Sequence, residues 1–285
     1  MSEDSSKTPD RSAWTPRTYL RYHAKKSLAL WEHYALPSRH FAYSIMFVLP
    51  LLVIYGVGLA QGLDANFGQS MLEYIPNLLK IFIGPFLVNV LVAIGLVAGL
   101  IYLVRQFIKN PVKISVYSGL ILCCMLVETA LVGMAVEIIR EISMRMSWPS
   151  LFTFRPNPAV MEAIQINGLL SPWKIVHASI GAGIFEELVY RVIFIRLLYF
   201  AAEGNDQPFG TERTALNKAV LLSSVLFAFM HLGYFSADNI RELVIGMTSY
   251  VFIGVLFAIV YLRRGYAIAA GSHAFVDIYM FFGVI

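Results

Sequence analysis

Seven stretches of this 285-residue chain, residues 41–61, 81–104, 114–139, 175–200, 217–234, 243–262 and 266–285, are apolar over lengths that suit a membrane-crossing helix. In lipid, backbone N–H and C=O groups find no outside partner, so a spanning segment must be a helix or part of a closed barrel. The strict in–out alternation of barrel strands is absent. The expected fold is therefore all-α, a polytopic transmembrane helical bundle of about seven spans. Composition agrees: 58% of residues are hydrophobic and 14% charged, with a mean hydropathy of +0.67. Soluble domains run near ~45–50% and ~25%.

Charge sets the expected orientation. With the amino terminus in the cytoplasm, fifteen lysines and arginines fall in cytoplasmic segments and six on the other side, Arg191 lying within a span. The positive-inside rule favours that arrangement. The net charge of +4 is thus a topological signal, and no nucleic-acid partner is expected. Residues 1–13 read as a disordered tail. Residues 17–34 mix basic with aromatic and aliphatic residues, as in a helix lying on an anionic membrane surface or a merely solvated juxtamembrane helix. No cleavable signal peptide is expected, because the first forty residues are polar and the first apolar run is long enough to stay in the membrane. The working division is a cytoplasmic segment (1–40), amino-terminal membrane helices (41–140), a proline-rich non-cytoplasmic loop (141–172) and a carboxy-terminal membrane domain (173–285). Cys123 and Cys124, adjacent in one span, are read as small core residues rather than a disulfide.

Against this apolar background, Glu186, Glu187 and Arg191 interrupt the fourth span. Each charge at mid-membrane costs about 2.5–3.5 kcal/mol even on insertion scales, so a retained triplet implies pairing or use inside the protein. Two further pairs share the spacing: Phe227 with His231, and His273 with Asp277. Residues four apart share a helix face, so three helices each present a polar face, and one buried site would accommodate all three. Adjacent carboxylates in a low-dielectric interior cannot both ionise cheaply, while one guanidinium can neutralise one of them. Glu187, a turn below Arg191, is the candidate for the paired member, leaving Glu186 as a general base beside an imidazole.

The strings EELVYR (186–191), FAFMH (227–231) and HAFVD (273–277), in this order on late membrane helices, resemble the motifs of the CPBP superfamily. That group contains the type II CAAX prenyl endopeptidases and the bacterial abortive-infection proteins. The resemblance covers about the last 120 residues. It implies a glutamate-type intramembrane endopeptidase, needing no metal or other cofactor, that acts on a membrane-associated peptide or protein. On the matching positions, Glu186 with His231 would activate water, His273 with residue 277 would stabilise the oxyanion, and Glu187 and Arg191 would shape the site. Asp277 departs from the asparagine common in the family. An ionised aspartate cannot donate a hydrogen bond, so it is expected to orient His273 and favour its imidazolium.

Plainer roles are expected elsewhere. His177 reads as a structural histidine, Glu128 and Glu137 as helix-packing or interface residues, with Glu128 also able to line the cavity, and Phe227 as a wall beneath the site. Ala178, Gly181, Ala182 and Gly183 read as a close-packing stripe. Two other functions fit the same residues: a zinc protease using His231, His273 and Glu186 as ligands, although no HExxH occurs, and a non-enzymatic transport or immunity protein. The compactness of the chain favours a bacterial inner membrane.

Overall fold

The computed structural model of the protein describes residues 34–35, 38–39, 41–62, 115–146, 172–203, 212–231 and 240–282, with isolated positions between 80 and 109. The elements formed by these residues are α1 (Phe41–Ala60), α2 (Val116–Met146), α3 (Pro172–Glu187), α4 (Ile195–Glu203), α5 (Glu212–Met230), α6 (Ile240–Arg264) and α7 (Tyr266–Phe282). A π-helical segment, Leu188–Phe194, joins α3 to α4 with helical backbone at both junctions. No strand occurs among the described residues. Among the described residues, three helical stretches, Ala42–Ala60, Ser118–Ile142 and Gly246–Arg264, are long and apolar enough to cross a membrane, and Thr214–Met230 is a shorter apolar helix. The tail 1–13, the surface helix 17–34, the second expected span 81–104 and most of the loop expected at 141–172 lie wholly or mainly outside the described residues.

The seventh helix is the axis of the bundle, packed along α3 and α2 and touching α1, α6 and the π segment. Its first half, YAIAAGSHA, explains why: side chains this small let neighbouring backbones approach closely. A Cβ on Gly271 would meet Thr129 Cγ2 at 2.6 Å, and one on Gly133 would meet the Ser272 carbonyl at 2.8 Å. On the α3 side, a Cβ on Gly183 would run into the Ala270 carbonyl oxygen and lie 2.8 Å from the Ala274 nitrogen. The stripe Ala178–Gly183 is thus occupied in packing, with Gly181 against the Tyr55 ring of α1.

Two expectations fail. Cys123 and Cys124 are exposed, not core: with Leu120, Val127 and Leu131 they lie on the outer face of α2. An apolar outer face is what lipid requires, and small size alone does not say which way a residue points. The second failure is the end of the third expected span. Helix α2 runs on to Met146, past residue 139, because Glu137 and Arg140 pair one turn apart and the side chain of Glu141 also approaches Arg140. Those charges support a further helical turn instead of a loop.

Glu128 belongs to a second polar cluster, away from the motif residues. Arg264, at the end of α6, donates from Nε to Glu128 Oε1 (2.5 Å) and from Nη2 to Glu128 Oε2 (2.7 Å). It also donates to Ser38 Oγ and the Ala35 carbonyl, and the Tyr34 hydroxyl donates to Glu128. Gly265, at φ +89°, is the single residue between α6 and α7. That left-handed conformation is easy for glycine and costly for other residues.

Candidate active site

The acidic pair sits where α3 gives way to π winding. Both Glu186 and Glu187 are buried, as are Tyr190 and Arg191 in the segment that follows. π-Helical turns break the regular ladder and concentrate at functional sites. Here the segment presents the Tyr190 carbonyl to α5, where Ser223 Oγ donates to it at 2.5 Å. The junction is thereby tied to the helix that carries Phe227 and His231. Tyr266, at the start of α7, similarly donates to the Ile184 carbonyl at 2.8 Å.

Glu187 is the hub of the site. Arg191 Nε donates to its Oε2 at 3.0 Å, and His273 Nδ1 lies 2.9 Å from its Oε1. A carboxylate only accepts, so the His273 proton on that side sits on Nδ1 and the ring turns Nε2 toward Glu186. The two outer nitrogens of Arg191 are buried and find no hydrogen-bond partner among the described residues. Its guanidinium instead lies over the Phe227 ring at 5.0 Å and the Tyr190 ring at 5.9 Å, where the aromatic faces supply partial compensation.

Glu186 Oε2 faces both imidazoles, 3.5 Å from His231 Nε2 and 4.0 Å from His273 Nε2. It is buried and takes no hydrogen bond from the described residues. The geometry also assigns one proton of His231. Its Nδ1 is 2.7 Å from the Phe227 carbonyl, which can only accept, so Nδ1 is the donor and the ring turns Nε2 toward Glu186, where the neutral form presents a lone pair. Three helices therefore bring a carboxylate oxygen and two imidazole nitrogens to one small volume.

All six residues singled out from the sequence, Glu186, Glu187, Arg191, His231, His273 and Asp277, come together here. Asp277 lies beside His273 without a hydrogen bond to it. Its Oδ1 lies 4.0 Å from His273 Nε2, too far for a hydrogen bond, and Glu187 holds the ring from the other nitrogen. The i,i+4 spacing brings Asp277 alongside the Nε2 edge of the imidazole, which also faces Glu186, while the Nδ1 edge meets Glu187. Phe227 forms a wall, with its ring centroid 4.5 Å from His231 and 6.0 Å from His273. His177 is remote from the site: it bonds to the Tyr55 carbonyl at 2.8 Å and stacks on that ring. Glu137 pairs with Arg140.

Two side chains of the site went unread in the sequence. Tyr250 stacks on His231 at 4.6 Å, and Phe257 stacks on His273 at 4.8 Å. Both come from α6, two turns apart on one face. That spacing is itself a signal, but in an apolar span it reads as ordinary core.

No group of three His, Cys, Asp or Glu side chains among the described residues forms a metal-holding cluster. Residues 168–279 match the Rce1-like family model, described as type II CAAX prenyl endopeptidase and part of the CPBP superfamily. The match encloses every residue of the site just described. The family is one of membrane proteases, in keeping with the three helices apolar enough to span a bilayer. Neither a curated protein nor a solved structure matches the chain.

Proposed function

We propose, taking the Rce1-like character of residues 168–279 as the premise, that this protein is an intramembrane endopeptidase in which Glu186 and His231 activate the hydrolytic water. The observation that carries the reading is the buried Glu186 Oε2, unbonded and facing imidazole nitrogens from two other helices. A water between Glu186 and His231 would donate one proton toward each. As its oxygen attacks the scissile carbonyl carbon, Glu186 takes a proton, and it returns that proton to the departing amine when the C–N bond breaks. His273, with Nδ1 committed to Glu187, has Nε2 left to donate to the oxyanion once the ring is protonated. Glu187 and Arg191 position this imidazole and take no part in proton transfer.

The substrate fitting the family description is a prenylated carboxy-terminal peptide of a membrane-associated protein, reached from within the bilayer. The excess of basic residues on one side supports a cytoplasmic amino terminus, the seven apolar stretches a seven-span topology, and the compactness of the chain a bacterial inner membrane. The test is cleavage of an internally quenched farnesylated peptide ending in a CAAX sequence by the purified full-length chain in liposomes. Glu186→Gln should abolish fragment release while the protein stays folded, and exhaustive chelation should leave the parent's rate unchanged. Parent-like cleavage by the variant would overturn the assignment of the base. Loss of activity on chelation that added zinc restores would replace the mechanism with a metal-dependent one.

A further inference from the structure

His231 needs more than its own helix to hold its aim. Helix α5 ends at Met230, and His231 lies in the turn beyond it, its backbone N–H donating to the Ala228 carbonyl at 3.0 Å. A helix end is where backbone order frays first. Yet the imidazole must keep Nε2 on the Glu186 carboxylate for the two to share a water. Along its edge, the ring is held by the bond from Nδ1 to the Phe227 carbonyl. On one face lies the Phe227 ring, tilted, with centroids 4.5 Å apart. Against the ring also lies Tyr250, near-parallel at 23° with centroids 4.6 Å apart.

We infer that Tyr250 is a positioning residue of the hydrolytic site, its ring clamping His231 from a second side, next to Phe227, so that Nε2 stays directed at Glu186. The clamp comes from a different element, α6, whose packing on α5 is fixed by Gly254, where a Cβ would lie 2.9 Å from Ser224 Cβ. Tyr250 also lies beside Phe227, with centroids 6.2 Å apart, so the three rings form one aromatic cluster bridging α5 and α6. Packed aromatic rings set orientation through their preferred stacking geometry, and near a developing imidazolium a ring face also attracts the charge. Removing the ring therefore loosens aim without removing any group that handles the proton.

This inference rests on the endopeptidase reading, and the test separates the two. Tyr250→Phe keeps the clamp; Tyr250→Leu removes it, and Tyr250→Met does so with a side chain better able to fill the space if the leucine variant does not fold. The first readout needs no substrate: carbethoxylation of His231 by diethyl pyrocarbonate, followed by peptide mass spectrometry on the full-length protein in detergent. Tyr250→Leu should raise that rate severalfold, and Tyr250→Phe should leave it at the parent's value. The second is turnover of the farnesylated peptide, where loss of orientation should lower kcat about tenfold with KM little changed, and Tyr250→Phe should stay within about twofold of the parent. A His231 modification rate and kcat in Tyr250→Leu equal to the parent's would overturn the clamp. Parent-like cleavage by Glu186→Gln would instead overturn the endopeptidase mechanism, whatever the modification rate shows.

Discussion

At the scale of single residues, the site divides its two adjacent glutamates by their partners. Glu187 is saturated by Arg191 and His273, whereas Glu186 meets imidazole nitrogens at 3.5 and 4.0 Å without a bond. Glu186→Gln should therefore reduce turnover by roughly 10²–10⁴-fold with no fall in melting temperature, as for loss of a general base. Arg191→Ala leaves a buried carboxylate uncompensated and should cost about 3–5 kcal/mol, read as a lower thermal midpoint in detergent. For Asp277→Asn the expected outcome is cleavage equal to or above the parent's. Asp277 holds no hydrogen bond to His273, and an amide adds an N–H that a carboxylate lacks. A dead Asp277→Asn variant would make the negative charge itself necessary.

Helical spacing explains how much of this arrangement is legible in the sequence. Residues four apart share a face, so Glu187–Arg191, Phe227–His231 and His273–Asp277 could each be read as one polar edge, and the cost of burying charge argued that the edges meet. The facing direction of α2 was not legible: nothing in the order of its residues turns Cys123 and Cys124 outward, which follows from what Gly133 and Thr129 pack against. Nor was Tyr250, whose role depends on an interhelical contact rather than on a spacing within one helix. The π winding at Leu188–Phe194 carries no distinctive composition either; its effect appears only where Tyr190 meets Ser223. At this scale the packing stripe is the point to probe. Gly183→Ala drives a methyl into the backbone of α7 at Ala270, so it should destabilise the protein by about 1–3 kcal/mol and depress cleavage by displacing His273. Thermal midpoint and rate, measured together, should fall in step.

Across the whole molecule, a second polar assembly ties distant parts of the chain together. Arg264 joins the end of α6 to Glu128 in the middle of α2 and to the segment at Ala35 and Ser38 that precedes α1. Charge-assisted, two-pronged contacts of this kind are stronger than neutral hydrogen bonds. Arg264→Lys keeps the charge but loses the fork, and should lower stability by about 1–3 kcal/mol in a thermal-melt assay. One glycine beyond that anchor, the chain reverses into α7. A reversal this short leaves no slack. Any displacement of the sixth helix by a docking peptide would pass straight into the seventh as a sliding motion, so cargo leaning on the Tyr250 side would be felt at His273 without touching it.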